Sequence, residues 1–139
     1  MLALEFHLKA RLAALSALTG WAVRTGTEQS ERRSMPAADV RCTGARTTDS
    51  EATAVTLDPA WTVTLVVPRS DQAAGQLDAA LAAVIGSLHN WHPGQLSGRV
   101  WRRLALQTVR EPEFAAEGQA GLELVFATST VYHGQVLTR

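Results

Sequence analysis

The sequence predicts an α+β domain, a single antiparallel or mixed sheet of about five strands with two helices packed on one face. Three observations lead there. Leucines at helical spacing run through the first eighteen residues, and a second apolar stripe of the same period fills residues 73–88. Apolar residues at every second position mark the runs from Trp61 to Val67, with Thr62, Thr64 and Val66 between them, and from Leu122 to Phe126, the signature of strands with one apolar face.

Leu4, Leu8, Leu12, Leu15 and Leu18 recur at spacings of three and four. They predict an amphipathic helix over residues 3–18, ended by Gly20, with Lys9 and Arg11 on its wet side. Trp21-Ala22-Val23 opens a short strand. Residues 24–34 carry Glu28, Glu31, Arg32 and Arg33 without apolar periodicity and read as a long exposed loop. Residues 36–42 form a short strand that begins at Pro36, where a missing N–H is tolerated. A second polar loop spans residues 43–51, Ala52 to Leu57 follows, and Asp58-Pro59 marks a turn. Then comes the strand in which Trp61, Val63, Leu65 and Val67 share one face, stopped by Pro68.

Ser70 is the expected N-cap of the second helix, with Asp71 beside the positive end of the helix dipole. Ala73, Ala74, Leu77, Leu81, Val84, Ile85 and Leu88 make its apolar stripe, and Gly86 suggests close packing on the sheet. Pro93-Gly94 ends the segment. Val100, Leu104 and Leu106 are placed on one face of the next strand, and Leu122, Leu124, Phe126 and Tyr132 on one face of the last. The connector between these strands, residues 110–118, makes an antiparallel hairpin the natural pairing.

The chain's 139 residues set one domain, residues 1–139, large enough to bury a core without a staple. Thirteen basic and thirteen acidic side chains leave a formal net charge of zero. A neutral chain has no global basic footprint, so tight binding to nucleic acid is not expected. Cys42 is the only cysteine, which rules out an intrachain disulfide. Glu5, His7, Lys9 and Arg11 interrupt any signal-peptide core, and no apolar run is long enough to span a membrane. The expectation is a protein made in a reducing cytoplasm.

Chemistry-bearing constellations are sparse. His89 and His92 have ligand-like spacing but lack a third partner; a helix-terminus turn explains them better. Glu111, Glu113 and Glu117 crowd one connector, where Pro112, Gly118 and Gly121 argue for a solvated or partner-facing loop over a sheltered acid–base pair. There is no G-x-S-x-G, phosphate-cradling glycine loop or H-E-x-x-H. Arg99, Arg102 and Arg103 beside Trp101 form the sharpest basic-aromatic patch. Such a patch can bind single-stranded nucleic acid, but edge-strand arginines and subunit contacts are the commoner use. Trp61 and Trp91 read as core or interface anchors.

The order of segments carries a resemblance. A helix ends in Leu88-His89-Asn90-Trp91-His92-Pro93-Gly94, and a strand follows from Val100 to Leu106. Then come Arg110-Glu111-Pro112-Glu113-Phe114 and a closing strand from Gly121 to Thr130. This order resembles the tail terminator proteins of long-tailed bacteriophages, the small proteins at the head–tail junction that cap a finished tail tube. The resemblance is strongest over residues 77–130 and weaker in the first helix and the Ser34-Met35-Pro36 strand entry. It implies a hexameric ring with no cofactor, metal or catalytic residue. The implied partners are other copies of the chain, the tail tube protein and the head–tail connector. No membrane is involved, and DNA passes through the ring without specific binding. Candidate interface residues are Trp91, Arg99, Trp101, Arg102, Arg103, Glu111, Glu113 and Glu117. Another connector or tail-completion protein, and a small cytoplasmic dimeric binding module, are the rival readings.

Overall fold

A computed structural model describes residues 1–29, 35–50, 53–113 and 117–135. Helix α1 (Leu4–Ala13) leads through a 3-10 turn at Ser16–Leu18 into β1 (Ala22–Thr25). Two long strands, β2 (Ala37–Ser50) and β3 (Ala54–Pro68), precede α2 (Ala73–Leu88). Two short strands, β4 (Gly94–Leu96) and β5 (Arg99–Trp101), and then β6 (Ala105–Arg110), β7 (Gln119–Ala127) and β8 (Thr130–His133) complete the chain. The main sheet has six strands in the order β1-β2-β3-β7-β6, with β8 pairing β3 beyond the end of β7. Only β1 and β2 are parallel; the other pairs of this mixed sheet are antiparallel. The α+β class with helices on one face is therefore observed, and β4 and β5 add a separate two-stranded sheet.

The core lies between the helices and one face of the sheet. Leu4, Leu8 and Leu12 from α1 and Leu77, Ala80, Val84 and Leu88 from α2 are buried against Val40, Trp61, Val63, Leu65, Leu124 and Phe126. Burying a side chain of the Leu, Val or Phe type contributes roughly 1.5–3 kcal/mol, so these two stripes and three strands dominate the stability. The Trp61–Val67 and Leu122–Phe126 runs are strands as expected and β6 and β7 form the expected antiparallel hairpin, but Tyr132, expected on the same last strand, lies on the separate strand β8. Residues 114–116 of its connector lie outside the described residues.

Several expectations are corrected. The first helix stops at Ala13, five residues early, yet Leu18 is still buried because the 3-10 turn redirects the chain onto the same core. Lys9 and Arg11 are not a free wet side. Lys9 pairs with Glu28 at 2.8 Å, while Arg11 donates to the Ser87 carbonyl at 2.9 Å and stacks on Trp91 at 4.5 Å. The loop expected over residues 24–34 begins as strand: Arg24 and Thr25 are buried in β1. The turn after them is tied to α1. Glu5, 1% exposed, accepts from the Gly26 N–H at 2.9 Å, the Thr27 N–H at 3.2 Å and the Thr27 hydroxyl. Glu28 accepts from Lys9 and from the Thr25 N–H, and these bonds hold its carboxyl below the usual range. The rest of that loop, residues 30–34, lies outside the described residues.

The second expected loop is strand as well. β2 runs through residues 43–50 and pairs with β3 back to Val55, making a hairpin of two strands 14 and 15 residues long. Its outer half has no apolar alternation because no helix covers it; backbone bonds to β3 hold it instead. Asp58-Pro59 is not a turn but part of β3. The Pro59 carbonyl accepts from the Thr128 N–H at 3.5 Å, so its nitrogen faces that same side. There β7 has ended opposite Ala60 and β8 begins only opposite Leu57, so the proline leaves no ladder bond unmade.

α2 starts at Ala73, and the Ser70 hydroxyl accepts from the Gln72 N–H at 3.2 Å in the turn before it, not as the N-cap. Ala80 belongs to the buried stripe and Ala74 does not. Gly86 is exposed, and a Cβ built on it meets nothing, so it serves no close packing. The helix ends before Asn90, whose φ of 66° is a conformation asparagine tolerates. The single strand expected through Val100 and Leu106 is broken at Arg102-Arg103. β5 pairs with β4 across Ser97-Gly98, both at positive φ as a two-residue hairpin requires. The break reverses the faces: Val100 is 67% exposed, while Trp101 is 2% exposed.

Candidate functional site

Register alone determines what lies on the sheet face away from the helices. Arg24 and Thr62 on this face are buried, while Arg110 and Thr108 at its β6 edge are exposed. Arg24, Asp39, Thr64, Glu123 and Arg110 stand side by side on five successive strands. An ion pair closes each end of this row, Arg24 to Asp39 and Arg110 to Glu123, both at 2.6 Å. The Arg24–Asp39 pair is largely buried, whereas Arg110 is exposed, and an exposed pair of that kind is worth only about 0–1 kcal/mol and registers strands more than it stabilises them. The row Arg41, Thr62, Val125 and Thr108 follows, with the Thr43 and Thr62 hydroxyls 3.3 Å apart beside it.

Beyond these, Gly44, Ala60, Ala127 and Ala105 form a row of small side chains across four strands. A trough opens over this floor as two hollows of about 420 and 640 Å³ that share Asp58, Gln107 and Ala127 in their walls. Arg46 stands on the β2 side, directly opposite Asp58 in register. Arg102 and Arg103 stand at the other end. The segment bearing them is fixed by its backbone: the Arg102 N–H donates to the Ser129 carbonyl at 3.0 Å, and its carbonyl accepts from the Thr128 hydroxyl at 2.6 Å. Both side chains are therefore exposed from a rigid support. Arg103 also donates to the Asn90 side chain at 2.6 Å.

The structure divides the residues singled out in the sequence. Arg102 and Arg103 share the trough. Arg99 does not join them: its guanidinium stacks on the Tyr132 ring at 3.6 Å, and it lines a separate hollow of about 470 Å³ with Val100, Thr130 and His133. The Tyr132 hydroxyl in turn accepts from the Met1 amine. Trp101 is a core residue, so it offers no surface for an interface. Trp91 is half-buried beneath Arg11, and its carbonyl accepts from the Leu104 N–H at 2.8 Å, pinning the helix-end turn to the strand that follows. His89 Nδ1 accepts from the Leu106 N–H at 3.0 Å, a structural use of the first histidine.

Glu111, Glu113 and Glu117 are all exposed on the β6–β7 connector, and none of them makes an ion pair within the described residues. Pro112 lies over Gly121, where a Cβ would meet the proline ring at 3.1 Å and the Leu65 carbonyl at 2.8 Å. That contact requires glycine and seats the base of the connector on β7. Sequence reasoning missed Arg46, Asp58 and Gln107, and the whole open face with them. A period-two reading continued through residues 43–58 would have brought Arg46 and Asp58 into strands, but the lack of apolar alternation there hid them.

No family model matches the sequence, and no curated protein sequence matches it. Solved structures do. A chain from the "Virion of native gene transfer agent (GTA) particle" is similar at a TM-score of 0.66 and 18% identity, covering 90% of this chain and 92% of that one. A second solved structure is similar at a TM-score of 0.54 and 16% identity, covering 98% of this chain and 90% of its own. At these identities the likeness establishes a shared fold, from α1 to the closing strands.

Proposed function

We propose that this protein is a structural component of a phage or phage-like virion. In this reading it forms a hexameric ring that caps the tail tube, ends tube polymerisation and joins the tail to the head connector. The observation that carries the reading is the whole-chain fold likeness to a component of a gene transfer agent virion, which leaves neither chain with a large unmatched part. The segment order of residues 77–130 supports the narrower assignment to the tail end. The function is a set of surfaces, with no chemistry asked of any side chain. A ring needs two different patches on each subunit that meet head to tail. The arginines at one end of β6 and the glutamates at the other supply two such patches.

A terminator acts by occupying the growing end of the tube. Deleting the gene is therefore expected to give tails of excessive length and few joined heads, measured on particles by electron microscopy. Normal, head-joined tails in the deletion would contradict the assignment. A complete block of tube assembly would also contradict it and favour an initiator or chaperone.

A further inference from the structure

We infer that the acidic β6–β7 connector of one copy docks in the arginine-walled trough of a second copy, a contact that rests on the ring reading above and names its surfaces. Each copy carries both halves. The connector presents Glu111, Glu113 and Glu117, all exposed and none ion-paired within the described residues. Arg46, Arg102 and Arg103 wall the trough together with one acid, Asp58 opposite Arg46, so the walls are net basic, and the floor of Gly44, Ala60, Ala105 and Ala127 leaves room above the sheet for another chain's backbone.

The two halves cannot satisfy each other within one molecule. The six-residue strand β6 separates them, roughly 20 Å of rigid extended chain. Glu111 follows the end of β6, whereas Arg102 and Arg103 precede its start. A contact in trans in which the connector of one copy fills the trough of the next, leaving its own trough open, propagates head to tail around a ring; reciprocal exchange between two copies would instead close a two-fold dimer. β6 itself is an edge strand with Gln107, Thr108, Val109 and Arg110 exposed, so the surface joining the two halves is open along its length. Charge complementarity of this kind sets register and partner choice, and it is weakened by salt.

The test uses two reversed proteins. One carries Arg102→Glu and Arg103→Glu, and the other Glu111→Arg, Glu113→Arg and Glu117→Arg. Sedimentation in low salt is expected to show the wild type assembling beyond a dimer and dissociating as salt is raised. Each reversed protein alone is expected to stay monomeric, since its connector and trough then have like charge. An equimolar mixture is expected to recover assembly, because each connector again meets a trough of opposite sign. Should the first reversal not fold, Arg46→Glu with Arg102→Glu takes its place. A wild type that is monomeric in low salt, or a mixture that fails to assemble, would overturn the contact, and a strict dimer would overturn its head-to-tail propagation. A six-fold layer on tails built equally well by wild-type and reversed proteins would overturn the contact and leave the ring reading standing. Recovery by the mixture in a protein absent from tails would do the opposite.

Discussion

Phe126→Ala is expected to lower the stability of the domain by about 3–5 kcal/mol, the usual cost of emptying a fully buried aromatic site. Phe126 is 0% exposed and sits in β7 directly between Trp61 on β3 and Leu106 on β6. Its ring therefore joins the strand that anchors the core to the strand that carries the open edge. Set against a total of roughly 5–15 kcal/mol, a loss of that size leaves a marginal fold. Chemical denaturation measures it, with Val131→Ala as the reference. Val131 is 44% exposed, and its truncation should move stability by less than about 0.5 kcal/mol. Equal, small losses from both would show that β7 does not centre the core.

The second large effect is expected at Glu5. Glu5→Ala removes the acceptor for the Thr27 N–H and hydroxyl, while the Gly26 N–H, which Glu5 shares, keeps the Val40 carbonyl at 2.8 Å. A donor left without a partner costs about 1–3 kcal/mol, so a loss of about 1–3 kcal/mol is expected. Gly26 has no room to rearrange, because a Cβ there would already meet the Arg41 Cβ at 2.9 Å. Glu5→Gln keeps one carbonyl oxygen for both N–H groups, and the Thr27 hydroxyl can turn to accept from the new amide. It should cost clearly less. Hydrogen exchange at the Thr27 amide separates this account from a general loss of stability: it should exchange faster in Glu5→Ala, while the Gly26 amide, still bonded to the Val40 carbonyl, and the amides of β3 keep their protection. Unchanged protection at the Thr27 amide would mean that Glu5 does not hold the turn.

What the sequence made legible tracks what is buried. The Leu4-Leu8-Leu12 and Leu77-Val84-Leu88 stripes and the Trp61–Val67 alternation were readable because one face of each meets the core. The outer half of β2 and the Asp58-Pro59 passage of β3 were not, because backbone pairing without burial leaves no hydrophobic period. Trp101 and Val100 were assigned to the wrong sides because the break at Arg102-Arg103 shifts the alternation, and that break is held by Ser129 and Thr128 from a distant segment. The site divides along the same line. Exposure of the three glutamates was foreseeable from their composition and turn residues. The separation of Arg99 from its two neighbours depends on Tyr132, and the ion-paired row from Arg24 to Arg110 depends on register across five strands. Both are tertiary facts that local pattern does not carry.

The central claim is a ring of this protein at the end of a tail, and imaging of isolated tails tests it most directly. Averaged views of the head-proximal end, with the protein located by a label or by its own density, are expected to show one six-fold layer. In that layer the β6–β7 connector of each subunit reaches the open sheet face of the next. A tail end without a six-fold layer of this protein, or one that holds it as a strict dimer, would contradict the account.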